Sequence, residues 1–297
     1  MPKQTTPPNL LGRLAWCALL ALAIVLPAGC DTVALEPAAR PTQPIATLFP
    51  TVALPTAAPA APEAAPSPDS GWMAGQAGVE LRRLLLDRGA AEPALPLVIV
   101  RLDPARVALR VAYTPDQPRG LRSWFDERQP LAAINGGFFT EEYRTTALLI
   151  SDGAPSGASY EGFGGMLTVG ADRSISIRPL RDQPYDPSEP LAQALQSFPM
   201  LVFPGGVPAD LDDNGQPARR SALAIDRQGR LLLIASPSSG FTLRGLAEWL
   251  AQSDLEIDRA LNLDGGSSTG LFLKDGALEE TIDSFGPLPS VLLVEPA

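Results

Sequence analysis

Two stretches of the chain share one design: an apolar run, a polar residue, then a pair of glycines. The first is Ala133-Ile134-Asn135-Gly136-Gly137-Phe138-Phe139, and the second is Leu261-Asn262-Leu263-Asp264-Gly265-Gly266-Ser267-Ser268-Thr269. A glycine pair after a buried strand permits a sharp turn with positive φ. It also leaves backbone N–H groups bare enough to meet an anion. Asn135, Asp264 and Ser267 would then line one rim, and Asp264 stands between Leu263 and two glycines, where apolar surroundings raise a carboxyl pKa. The plainer reading of each stretch is a tight strand end in which Asn or Asp bonds its own backbone. Two such ends in one chain, one bearing a carboxylate, favour a site. A third stretch, Arg219-Arg220-Ser221-Ala222-Leu223-Ala224-Ile225, runs arginine directly into a strand. Its guanidinium groups either face solvent, as Arg usually does, or one of them forks onto a phosphate or carboxylate.

The residue types absent from the chain narrow the chemistry. There is no histidine, and both cysteines, Cys17 and Cys30, lie near the N-terminus. That excludes Ser-His-Asp and Cys-His catalysis and imidazole zinc sites. The remainder of the chain also holds no disulfide and no thiol nucleophile. Acid–base work therefore falls to Asp, Glu, Tyr, Lys or water. The net charge is −10 and no run of Lys or Arg occurs, so the electrostatic footprint of a nucleic-acid binder is missing.

The elements that must position these residues are mostly short strands. Leu95 to Pro115 reads as two strands joined at Asp103-Pro104, a β-hairpin signal. Gly120 to Gln129 suits one short helix, and Leu131 to Asn135 a buried strand ending at the first glycine pair. Further strands are expected at Ala147–Ser151, Met166–Val169, Ser174–Arg178, Pro199–Phe203 and Ser221–Ile225. Asp226-Arg227-Gln228-Gly229 turns the last of these into Arg230–Ala235, a second hairpin. Thr242 is a plausible N-cap for a helix whose apolar face is Leu243, Leu246, Ala247 and Leu250. Strands at Ala260–Leu263, Leu271–Leu273 and Val291–Val294 close the set. The fold class is therefore α+β: a single domain dominated by mixed or antiparallel sheet with few helices.

That domain is expected over residues 79–297. Before it, residues 1–13 are polar and positive, Leu14–Leu26 is uninterruptedly apolar, and Pro27-Ala28-Gly29-Cys30 follows. This is the order of a secretory signal, and the apolar run is shorter than the roughly 20 residues that span a membrane. Ala28-Gly29-Cys30 resembles the end of a lipobox, with Pro27 where an aliphatic residue is usual. The resemblance implies lipidation at Cys30, a signal peptide over residues 1–30, and a place in a bacterial cell envelope. The protein is expected there either lipid-anchored to the outer face of the cytoplasmic membrane or secreted. A signal anchor, or an ordinary cleaved signal with an incidental cysteine, is the alternative. Residues 31–78 are dominated by Pro, Ala and Thr without periodic apolar positions, the composition of a disordered, semi-extended linker.

INGGFF (134–139), QSFPMLV (196–202), RSALAID (220–226) and LNLDGGSSTGL (261–271) occur in this order. Segment by segment they resemble the motifs of the phosphodiester glycosidase family, from about Leu97 to Val294. LNLDGGSST is the most specific piece. Thr140, Phe198 and Ser267 depart from the family pattern, Phe198 standing where glycine is common. The resemblance implies a hydrolase that removes a sugar from a sugar 1-phosphodiester. It places Asp264 and Arg220 in catalysis, and Asn135, Gly136, Gly137, Phe138, Asn262, Gly265, Gly266 and Ser267 around the substrate. Glycoside cleavage usually uses a second carboxylate, for which Glu141, Glu142 and Asp152 are candidates. No cofactor or metal is implied. Asp264 would suit calcium, but no EF-hand-type loop is present. The partners expected are a phosphodiester-linked sugar or anionic glycan and, through Cys30, a membrane; nucleic acid is not expected, and the protein is expected to be a monomer. The rival function is a binding or exopolysaccharide-assembly lipoprotein that holds an anionic polysaccharide without cleaving it.

The lipobox reading predicts that the wild-type chain takes up radiolabelled palmitate and partitions into detergent, and that Cys30→Ala does neither. Equal labelling of the two would eliminate it.

Overall fold

The computed structural model describes residues 67–76, 78–213 and 215–297. The expectations for residues 1–30, Cys30 included, and for the linker as far as residue 66 lie outside the described residues. Among the described residues, eighteen strands form three sheets. The largest has the spatial order β1 (Met73–Ala74), β2 (Val79–Leu86), β3 (Leu95–Leu102), β14 (Leu231–Phe241), β13 (Ala218–Asp226), β15 (Ile257–Asn262), β11 (Met200–Phe203), β12 (Val207–Pro208). A second runs β17 (Leu278–Ile282), β16 (Leu271–Asp275), β5 (Ala132–Asn135), β18 (Ser290–Pro296), β4 (Val107–Tyr113). The third runs β7 (Ala154–Ser156), β6 (Leu149–Ser151), β10 (Leu191–Ser197), β8 (Gly165–Gly170), β9 (Ile175–Pro179). Every pairing between these strands is antiparallel. With two α-helices, the architecture is the antiparallel α+β domain that the strand pattern implies.

The main core lies where the inward faces of the three sheets meet: Val98, Val100 and Leu102 of β3, Ile134 of β5, Leu167 of β8, Leu223 of β13 and Leu261 of β15 all belong to it. The other face of the large sheet is covered by helix α2 (Leu243–Gln252), through Leu246, Ala247 and Leu250 packed with Ile99, Ile234 and Ala222. Thr242 caps α2, its Oγ1 accepting from the Gly245 N–H at 3.1 Å, as the sequence pattern requires. Helix α1 (Leu121–Arg128) covers the outer face of the β5 sheet with Leu121, Trp124 and Phe125. Burial on both faces explains why β5 is a run of small and apolar residues without alternation.

Two expectations need correcting. Leu95–Leu102 and Val107–Tyr113 are strands, but they do not pair with each other. β3 lies between β2 and β14, whereas β4 pairs with β18. Both contribute to the main core, so the Asp103-Pro104 corner carries the chain from one sheet to the facing one. The reason is that β3 is buried along nearly its whole length and so belongs inside a covered sheet rather than in an edge hairpin. The hairpin at Asp226–Gly229 does form, with Asp226 Oδ1 accepting from the backbone N–H groups of Gln228 and Arg230.

The second correction concerns the start of the folded body. Residues 67–76 were expected in the linker, yet they belong to the body. Ser70 N–H donates to the Arg83 carbonyl and Leu85 N–H to the Pro68 carbonyl, and β1 extends the large sheet. Asp69 and Asp254 hold the buried Arg82 guanidinium at 2.7 and 2.9 Å, and Trp72 lies under Arg101, 3.7 Å from its ring centre. A chain beginning at Ser67 should therefore melt within about 2 °C of the full chain. One beginning at Val79 should melt at least ~5 °C lower, because ~1 kcal/mol moves a domain of this size by about 2–4 °C and a buried Arg82 would lose a partner. Equal melting of the two truncated forms would contradict this packing.

Candidate functional site

The two glycine-rich strand ends meet through one amide. Asn135, fully buried at the end of β5, accepts at Oδ1 from the Ser221 hydroxyl (2.7 Å) and the Gly270 N–H (3.2 Å). Its Nδ2 donates to the carbonyls of Asp264 (2.8 Å) and Gly136 (3.2 Å). An amide has two donors and two acceptor lone pairs, and all four are used within the protein. Asn135 thus ties the β5 sheet to β13 and to the loop after β15. The sequence places it around the substrate; the structure shows it buried and bonded within the protein.

The first glycine pair also has a packing role. Gly136 and Gly137 are not among the glycines with positive φ, and Gly265 has φ −118°; of the four, only Gly266 has the expected left-handed backbone, φ 61°. Close approach is what requires glycine at the others. A Cβ on Gly136 would collide with Ser290, one on Gly137 would lie 2.8 Å from the Gln196 carbonyl, and one on Gly265 would lie 2.9 Å from the Arg219 carbonyl.

Asp264 and Arg220 stand near the ends of two paired strands. β13 and β15 pair with Ala222 opposite Asn262 and Leu223 opposite Leu261. Beyond that, the Leu263 N–H still donates to the Ser221 carbonyl, whereas the Asp264 N–H donates to the Gly136 carbonyl. Leu261 and Leu263 enter the main core, so Asn262 and Asp264 point to the other face. Burial pushes the Asp264 carboxyl pKa up, while the Ser268 hydroxyl and the Gly265 N–H (2.9 Å) hold it back. The Arg220 guanidinium is half-buried and donates only to carbonyl oxygens, of Phe241 (3.0 Å) and Gln216 (3.2 Å), among its described bonds. Burial alone lowers its pKa, with no carboxylate opposing the shift. Its Nη1 lies against Gly265, 3.8 Å from where a Cβ would stand. A carboxyl whose pKa burial raises and an arginine that, among the described residues, donates only to carbonyl oxygens thus stand at the ends of adjacent strands.

The neighbours differ in role. Ser267 is exposed, and its carbonyl accepts from the Phe285 N–H. Asn262 is buried, its Nδ2 donating to the Phe198 carbonyl at 2.8 Å. Phe138 stacks on Phe198 with ring centres 4.5 Å apart. Arg219, beside Arg220, is buried, donates to the Asp283 and Gly266 carbonyls, and lies over the Phe285 ring. Of the candidates for a second carboxylate, Asp152 is tied to Arg110 and Gln193, and Glu141 and Glu142 are exposed on the loop after Phe139. No group of three or more acidic residues placed to hold a metal occurs among the described residues. Sequence reasoning did not assign roles to Ser221 and Ser268, whose hydroxyls serve Asn135 and Asp264; both lie inside the motifs it singled out.

Replacing Asn135 by Ala would leave the Ser221 hydroxyl, the Gly270 N–H and the Asp264 carbonyl without their partner, at about 1–3 kcal/mol for each group that stays unsatisfied. A drop in melting temperature of at least ~6 °C is expected. A drop under ~2 °C would show that the joint is not a major source of stability.

The family model for phosphodiester glycosidases matches residues 128–295, a span that contains β5, β13, β15 and both glycine pairs. Among solved structures, the catalytic domain of zebrafish N-acetylglucosamine-1-phosphodiester alpha-N-acetylglucosaminidase, auto-inhibited by its pro-peptide, is similar with a TM-score of 0.58 at 18% identity, over 73% of this chain and 83% of that one. A hypothetical protein from Synechocystis is similar with a TM-score of 0.51 at 17% identity, over 73% of this chain and 62% of that one. At such identities the likeness is one of fold. No curated protein matches the chain. With the family model covering more than half of its 297 residues, the chain belongs to the phosphodiester glycosidase family.

Proposed function

We propose that this protein is a hydrolase that releases a sugar from a sugar 1-phosphodiester in envelope or extracellular glycan, anchored to a membrane through Cys30. The observation that carries the reading is the Arg220 guanidinium lying against Gly265, the residue after Asp264, where β13 and β15 end. In this reading the bond between the anomeric carbon and the phosphate oxygen breaks, and its electron pair stays with the phosphate. Asp264, its pKa raised by burial, gives its proton to the departing oxygen. Arg220 holds the phosphate charge. Water adds to the anomeric carbon and returns a proton to the Asp264 carboxylate. A phosphate is a weak base, so its departure needs no strong acid, and the larger share of the Asp264 contribution is taking the proton from the attacking water. The anchor rests on Ala28-Gly29-Cys30 after a short apolar run.

A second reading, an anionic-polysaccharide binding or assembly protein, is favoured by one observation: Asp152 is occupied by Arg110 and Gln193, so one candidate for the second carboxylate is otherwise engaged. Incubation with the methyl diesters of glucose, mannose and N-acetylglucosamine 1-phosphates, followed by a phosphatase, discriminates the two. Phosphate release supports the hydrolase, and binding of an anionic polysaccharide without any release supports the rival.

Asp264→Asn should reduce turnover by roughly 10²–10⁴-fold, and Arg220→Lys, which keeps charge but loses the fork, should raise KM about tenfold. Stability gives an independent check. A raised folded-state pKa means that the Asp264 contribution is fully present below its unfolded value, about 3.9, and is lost as pH rises through the folded value. Asp264→Asn should therefore melt no lower than wild type at pH 7, and any advantage should vanish near pH 4. Near-wild-type turnover in both variants would remove these residues from the mechanism.

A further inference from the structure

Four aromatic rings that come from separate parts of the sequence meet beside the Asp264 strand end. Phe138 stacks on Phe198 (4.5 Å between centres) and Tyr160 on Phe163 (4.6 Å). Phe198 meets Tyr160 and Phe163 edge-on at 5.7 and 6.0 Å. The group is anchored at both strand ends. The Phe198 carbonyl accepts from Asn262, two residues before Asp264. Phe138 lies two residues after Gly136, whose carbonyl accepts from the Asp264 N–H. Tyr160 is fixed by its hydroxyl on Thr146 Oγ1 (2.9 Å) and its N–H on the Gln196 side chain (2.8 Å).

Phe163 and Phe198 are 49% and 37% exposed, although they belong to a packed cluster. Elsewhere in the body ring faces are covered by arginine: Trp72 by Arg101, Trp124 by Arg119, Phe203 by Arg181 and Phe285 by Arg219. Among the described residues no arginine lies over these four rings. Two exposed rings are far too small a surface for a protein interface, which buries at least ~1,200 Å² in total, and ring faces without cations do not attract an anionic membrane. They fit a flat, neutral, partly apolar ligand. Hydroxyl recognition is at hand in a cavity of about 280 Å³ next to Phe163, which carries the polar side chains of Arg181 and Asp210.

We infer that this platform is a sugar subsite, on which a neutral pyranose ring of the glycan lays its C–H face against Phe198 and Phe163. The inference builds on the hydrolase reading, since it seats a sugar of the glycan beside the strand end that precedes Asp264.

The test uses neutral probes that contain no phosphodiester: methyl α-glucoside, methyl α-mannoside and methyl N-acetyl-α-glucosaminide. In saturation-transfer NMR with the full chain, the ring protons of at least one should receive saturation. Phe198→Trp should retain the transfer, and Phe198→Ala and Phe163→Ala should lose it with unchanged melting temperature. On any diester that is turned over, Phe198→Ala should raise KM about tenfold while kcat stays within twofold. No transfer from wild type, or transfer that survives both alanine variants, overturns the platform. The two readings fail separately: glycoside transfer without diester turnover sinks the hydrolase alone, and turnover without glycoside transfer sinks the platform alone.

Discussion

A buried side-chain amide with all four of its hydrogen-bonding positions filled is a demanding device, because losing any one partner leaves a desolvated polar group behind. Asn135 is in that position, bonded to Ser221 of β13, to Gly270 before β16, and to the Asp264 and Gly136 carbonyls. Its geometry sets where the loop after β15 leaves the large sheet, and hence where the Asp264 carboxyl stands. The glycines follow from the same constraint. Gly136 and Gly265 let two strand ends approach Ser290 and the Arg219 carbonyl closely enough for the amide to reach both sides.

Around that joint the charges are less well matched than elsewhere. Arg82, buried in the body, has two carboxylates. Arg219 and Arg220 rest on backbone carbonyls, and Nε of Arg219 has no partner. Burial opposes the charge on both arginines and on Asp264. In a chain of net charge −10, Arg220, which donates only to carbonyl oxygens among the described residues, forms a local attraction for an anion against the overall field. An arriving phosphate would give the Arg220 guanidinium an anionic partner, which is the electrostatic sense of the hydrolase reading.

The parts of the fold legible in the sequence were those set by local rules. The Thr242 cap, the apolar stripe of α2, the Asp226–Gly229 turn and the apolar runs at β5 and β15 all stand where short-range pattern puts them. Facts that depend on remote neighbours were not legible. Whether β3 turns back on β4 or crosses to a facing sheet depends on what covers β3, not on Asp103-Pro104. β10 escaped recognition because Gln193 and Gln196 point inward, each amide bonded to protein groups, so the polar–apolar alternation is lost. Trp72 and Asp69 sit in a Pro-rich stretch whose composition says linker, and only Arg82 and Arg101 reveal that they are packed. For the candidate site, motif spacing singles out Asp264, Arg220 and the glycine pairs, and the structure adds which strand ends carry them. The burial of Asn135, and the meeting of Phe138, Tyr160, Phe163 and Phe198 over a span of sixty residues, could not.

The bonds of Asn135 also have a consequence in time. Ser221, Asp264 and Gly270 are 86, 129 and 135 residues away along the chain. Closing loops of that length costs chain entropy before any contact rewards it, and folds dominated by such contacts form slowly. Hairpins such as β13–β14 can assemble from neighbouring residues, but the joint beneath Asp264 exists only once three distant segments have docked. A partly folded chain can therefore own most of its sheet and none of its site, so competence at the site reports completion of the fold.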